Sequence, residues 1–167
     1  MRSVDRCVEQ LQGNGYGLWA VEVRASGEFI GFVGLSEPRW EAAFTPCTEI
    51  GWRLARSAWG HGYATEAANE APATAFGPAG LGEVVSFTTT RNVDSQRVMQ
   101  RIGMTHDSIE DFDHPLVTDG PLRRHCSTAS RKLTGKREGC QDHRFDPRSG
   151  HEGAHAVPTY RDLPTGR

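Results

Sequence analysis

Lysine is missing from the first 126 residues of this 167-residue chain; Lys132 and Lys136, the two it has, lie beyond them. Those 126 residues carry 11 arginines against 16 aspartates and glutamates, a net charge of −5, while residues 127 to 167 carry 8 basic and 5 acidic side chains, net +3. A mildly acidic body argues against nucleic acid as a partner and favours a cationic amine over an anionic substrate. No apolar run reaches the roughly 18 residues of a membrane-spanning helix, and the N-terminus lacks the basic-then-apolar pattern of a secretory signal. The expectation is a cytoplasmic protein with no membrane partner. Cysteine is sparse as well: Cys7, Cys47, Cys126 and Cys140 are far apart with no Cys-x-x-Cys, which reads as reduced thiols rather than a disulfide framework.

What is present is an alternation of short strands and helices. Val4, Val8 and Leu11 fall on one helical face, and Gly13-Asn14-Gly15 supplies the stop. Residues 18–23 and 29–35, joined by Ala25-Ser26-Gly27-Glu28, read as an antiparallel hairpin, and residues 49–54 as a third strand after a longer loop holding Trp40 and Phe44. A helix should follow Gly62 toward Phe76, kinked or ended early by Pro72, because proline removes a hydrogen bond and collides with the preceding turn. Gly77-Pro78-Ala79-Gly80 breaks the chain; a strand at 83–89, a helix at 93–102 and a short strand from Met104 come next. Residues 107–121 read as an acidic loop, and residues 122–126 as the start of a last strand.

Two segments carry chemistry. In Trp59-Gly60-His61-Gly62-Tyr63-Ala64-Thr65-Glu66, two glycines let the backbone turn tightly and present consecutive N–H groups, and the residues that follow open a helix whose positive end faces the same spot. That is a cradle for a diphosphate. In the second, Asn92-Val93-Asp94-Ser95 caps a helix after the apolar run Val84-Val85-Ser86-Phe87. Either segment alone is equally an ordinary strand-to-helix turn.

Together they resemble the GNAT superfamily of acetyl-CoA-dependent N-acetyltransferases, over roughly residues 2 to 125. The branch most similar is that of the ribosomal-protein alanine N-acetyltransferases, which shares the Trp-Gly-x-Gly-Tyr-Ala-Thr-Glu-Ala run of residues 59–67. The resemblance implies an α/β fold with a mixed sheet that splays open between the strands at 49–54 and 83–89, flanked by helices, and acetyl transfer to a primary amine, either a protein N-terminus or a small amine. It implies coenzyme A contacts from Arg53, Leu54, Trp59, Gly60, His61, Gly62, Tyr63, Ala64, Thr65, Asn92 and Ser95, with Trp59 acting through its backbone. A bulge near Arg53 and Leu54 would expose main-chain donors to the developing oxyanion. Glu49 is the candidate base, with a surface strand carboxylate as the competing reading. Met99 stands where many members place a tyrosine acid, so Ser95 is the candidate for a hydrogen bond to the departing thiolate; simple first-turn capping is its alternative. Asp111, Asp113 and His114 are candidates for meeting a cationic acceptor, or a solvated acidic loop.

The chain also departs from the family. The strand and helix that usually precede the region matching residue 2 are expected to be missing, which would leave the strand at 18–23 as an exposed edge. The last strand is expected to be disrupted, because relatives continue it with apolar residues and this chain reads Arg124-His125-Cys126-Ser127-Thr128-Ala129-Ser130. The domain is therefore drawn at 1–126, with 127–167 expected to be a disordered or out-of-frame tail. Cys140-x-x-His143 and His151-x-x-x-His155 do not match a zinc-finger spacing, and no metal is expected. The rival functional reading is a noncatalytic fragment that retains only the coenzyme A cradle.

Overall fold

The computed structural model describes residues 3–131 and 154–155. Helix α1 (Ser3–Asn14) leads into the hairpin of β1 (Leu18–Val23) and β2 (Phe29–Ser36), and β3 (Glu49–Leu54) pairs antiparallel with β2. Next come α2 (Tyr63–Asn69) and α3 (Ala71–Phe76), separated at Glu70. Pro72 sits in the first turn of α3, where its missing N–H costs nothing, and α2 gives way to α3 just ahead of it through Glu70, which keeps right-handed helical angles. Strand β4 (Glu83–Thr89) and helix α4 (Val93–Arg101) follow, then β5 (Thr105–His106), β6 (Phe112–Asp113), β7 (Arg124–Arg131) and β8 (Ala154–His155).

The sheet runs β5-β7-β4-β3-β2-β1-β8, with β6 also paired to β7. Alternation sends Val21, Val33, Leu35, Ile50 and Val84 into one core cluster, where they meet Ala67, Ala68, Ala71 and Ala75 of α2 and α3 and Met99 of α4. Four buried alanines on the helical side let the helix backbones lie close to the sheet. The opposite face carries Glu49, Gly51, Val85 and Phe87, together with Ser127 and Ala129 of β7.

The last strand is intact. β7 pairs with β4 over seven register positions, from Glu83↔Arg131 to Thr89↔His125, and β5 covers part of its other edge. Cys126, Ser127, Thr128 and Ala129 are buried in it, so the expected break after residue 126 is corrected to a strand that ends at Arg131. Small polar residues substitute for apolar ones here because they find partners: the Thr128 hydroxyl donates to the Ser86 carbonyl at 3.0 Å, and the Cys126 thiol to the Thr88 carbonyl at 3.5 Å. The acidic loop is also more ordered than its composition suggests, since β6 pairs Phe112 with His125 and Asp113 with Arg124. At the other edge, β8 pairs with Glu22 and Val23 of β1, which covers part of the strand expected to be open. Cys140, His143 and His151, and the rest of the tail beyond Arg131 apart from Ala154 and His155, lie outside the described residues. Among the described residues, no helix is long and apolar enough to cross a membrane.

Candidate active site

Strands β3 and β4 are parallel and meet in register at Glu49↔Val85, where the Val85 N–H donates to the Thr48 carbonyl at 2.9 Å. Beyond that point they part, leaving a notch that opens toward their carboxyl ends. Glu49 stands at its base. Burial pushes the Glu49 carboxyl up to about 7, so at neutral pH it is divided between a form that accepts a proton and one that holds it. Its neighbour Cys47 is driven the other way from reactivity: burial first, then the charges of Glu49 and Glu83, raise the thiol to about 11.

The edge of β3 that faces the notch exposes main-chain donors, by a route other than the expected bulge. The β2–β3 register is continuous from Glu49 to Leu54. Because the Ala55 N–H donates to the Ile30 carbonyl at 2.7 Å, the alternation of an antiparallel ladder turns Arg53 toward β2 and the N–H groups of Trp52 and Leu54 toward the notch. Divergence of the parallel pair, rather than an inserted residue, frees them. The Leu54 N–H thus faces the notch, while the Arg53 amide is turned to β2.

After β3, the chain turns through Gly60 (φ +81°) and Gly62 (φ +84°) into α2. Both are in the left-handed region, and a Cβ at either would meet no protein atom within 4 Å, so space over the cradle is open. The Trp59 indole N–H donates to the Leu54 carbonyl at 3.0 Å, tying the cradle to the end of β3. The Trp59 side chain thus holds this turn to β3. His61 donates from Nδ1 to the Trp59 carbonyl (2.9 Å) and stacks on Tyr63, with ring centroids 5.4 Å apart. Ala64 and Thr65 follow in the half-buried first turn of α2. At the entrance to α4, the Asn92 side chain accepts from the Ser95 N–H at 3.2 Å and donates to the Thr88 hydroxyl at 3.1 Å, so Asn92 is an N-cap. Since β3 and β4 are parallel, the cradle and the α4 entrance sit at the same end of the pair, and α2 packs on α4.

The sequence matches the Acetyltransferase (GNAT) domain family over residues 2–105. The chain belongs to the GNAT acetyltransferase family. It is 39% identical over 111 residues, 64% of this chain, to the FsC-acetyl coenzyme A-N(2)-transacetylase of Aspergillus fumigatus. The chain spans about half the length of the curated relatives it matches, 46% of the fungal protein and 61% of the Bacillus subtilis protein YkkB. Among solved structures, YncA of Salmonella typhimurium, determined with acetyl-CoA, superposes with a TM-score of 0.64 at 17% identity, over 84% of this chain and 80% of that one. The ribosomal-protein-S5-alanine acetyltransferase of Vibrio fischeri gives 0.63 at 20% identity, over 79% and 70%. At those identities the likeness establishes the fold, a mixed and splayed sheet flanked by helices.

One part of this GNAT domain had no sequence signal. On the Glu49 face of the sheet, Trp40 and Phe44 from the β2–β3 loop lock against Phe87 of β4 and Phe112 of β6, with centroid separations of 4.9 to 6.2 Å, and His114 lies 4.7 Å from Trp40. Burial, and then the nearby His125, lower the His114 pKa. These rings come from three separate stretches of chain, so no local spacing announces them. Beside them lies a cavity of about 450 Å³, with Glu83, Val85, Asp111 and Asp113 among its walls. Asp111 and Asp113 thus fall at one site, but each already has a cationic or imidazole partner: His106 for Asp111 at 2.8 Å, Arg123 for Asp113 at 3.1 Å.

Proposed function

We propose that this GNAT domain transfers the acetyl group of acetyl-CoA to a primary amine by direct attack on the thioester, with Glu49 as the general base. The observation that carries the reading is the position of Glu49, a carboxylate raised to about 7 at the base of the notch. There it takes the proton of an incoming ammonium or of the attacking nitrogen, a task that works best when the base's pKa lies near the working pH. The N–H groups of Trp52 and Leu54 meet the negative charge that develops on the carbonyl oxygen. Gly60, His61, Gly62, Tyr63, Ala64 and Thr65 hold the diphosphate through backbone groups and the opening turn of α2. Ser95, half-buried in the first turn of α4, supplies a hydroxyl to the departing sulfur, while Asn92 shapes that turn.

The acceptor is an amine, either a small molecule or a protein N-terminus. Relatives with this fold include the S5-alanine acetyltransferase above and a spermidine N-acetyltransferase of Vibrio cholerae, so the scaffold serves both kinds. The test is a melting curve with and without acetyl-CoA, followed by free-thiol release with a panel of amines. A ligand at 100 times its Kd adds about 2.7 kcal/mol of apparent stability, and thiol should appear only when an amine is present. Stabilisation by acetyl-CoA without thiol release from any amine would make the domain a binding module; no stabilisation would remove the cradle assignment.

A further inference from the structure

We infer that the cavity on the Glu49 face is the acceptor pocket and selects a small amine bearing a second positive charge on an apolar spacer, in preference to a protein N-terminus. This rests on the transfer reaction proposed above. Val85, in the cavity wall, is the register partner of Glu49 on the same face of the sheet, so the pocket adjoins the base by about one strand spacing. Its volume of about 450 Å³ is that of a small-molecule site. The aromatic lock of Trp40, Phe44 and Phe112 holds the two walls in place around it.

The charges in the wall do not cancel. Asp111 is hydrogen-bonded to His106, and Asp113 is paired with Arg123 and Arg124. Glu83 and Glu110 share a single cation, Arg131, whose contact with Glu110 is a loose 3.8 Å. Glu41 has no ion-pair or hydrogen-bond partner among the described residues. Three carboxylates and one guanidinium leave two negative charges facing a cavity whose remaining walls are largely apolar. A diammonium compound fits that surplus: one end gives its proton to Glu49, and the other settles among Glu41, Glu83 and Glu110, displacing Arg131 from Glu110. A peptide N-terminus brings one charge and a bulky chain behind it.

Calorimetric titration tests this without requiring turnover, using the full chain with and without coenzyme A. The probes are 1,4-diaminobutane, butylamine and an alanine-initiated tripeptide. We expect the diamine to bind at least tenfold tighter than either of the others, and the double variant Glu41→Gln/Glu110→Gln to bring it down to the butylamine level. Arg131→Gln should tighten diamine binding several-fold by removing the internal competitor, a gain that a damaged fold would not produce. Equal affinity for diamine and butylamine, preference for the tripeptide, or a diamine preference untouched by all three substitutions would overturn the assignment. Thiol release with butylamine but no diamine preference would leave the transfer reaction standing and remove this pocket alone.

Discussion

Glu49 and Val85 face each other where the parallel strands β3 and β4 join, and past that pair the strands separate. The join half-buries the carboxylate, and the separation supplies the space and the N–H groups that face it. One structural event therefore accounts for both the proposed base and the proposed oxyanion donors.

Glu49→Gln should lower kcat/KM by about a hundredfold or more, the usual worth of a positioned base, while acetyl-CoA affinity changes little. The wild-type profile of rate against pH should show an acidic limb centred near 7, the value to which burial raises this group. The limb should be lost in the variant. A pH series of thiol-release rates checks both, and an unchanged limb would place the base elsewhere, with His114 next to be tested.

The same group makes a stability prediction whose sign follows from its direction of shift. Burial raises the Glu49 pKa from its usual 4.5 to about 7, so the folded state resists ionisation. Its contribution is intact below about pH 4.5 and is lost as pH rises through 7. Glu49→Gln should melt with wild type at pH 4 and above it at pH 8, by up to about 3 kcal/mol. Thermal scans at the two pH values decide it.

Gly62→Val places a β-branched residue at φ +84° and fills space that is open over the cradle. Backbone strain of about 1–3 kcal/mol, added to crowding of the diphosphate, should weaken coenzyme A binding by at least tenfold in calorimetry. His61→Ala, which removes an exposed side chain, should cost much less.

Trp59→Phe keeps the ring but deletes the bond to the Leu54 carbonyl. Losing one such bond costs about 0.5–1.5 kcal/mol. Because that bond ties the cradle to β3 rather than the core together, the loss should appear in coenzyme A affinity, by roughly threefold to tenfold, with the melting temperature nearly unchanged.

Asn92→Ala and Ser95→Ala separate capping from chemistry. Asn92 accepts the Ser95 N–H, so its loss should destabilise the fold by about 1 kcal/mol. Ser95→Ala keeps that cap and removes only the hydroxyl; a rate loss of about ten- to thirtyfold with unchanged stability is expected. Equal melting shifts for the two would reduce Ser95 to a helix residue.

Much of this protein was legible in local pattern. Period-two apolar runs marked β1 to β4, Pro72 marked the break between α2 and α3, and two glycines marked the cradle, because dihedral preference and side-chain alternation act over a few residues. The register of β7 was not legible. Its buried hydroxyls read as a polar tail until Ser86 and Thr88, some forty residues earlier, supply the carbonyls that satisfy Thr128 and Cys126. Nor did a local pattern show the aromatic cluster beside the cavity, since Trp40, Phe87, Phe112 and His114 meet only through the sheet. The sequence by itself determined the elements and the backbone cradle, which depend on near neighbours. The tertiary structure decided which carboxylate is buried, which edge stays unpaired and where charge is left uncancelled, because burial and field depend on distance in space rather than along the chain.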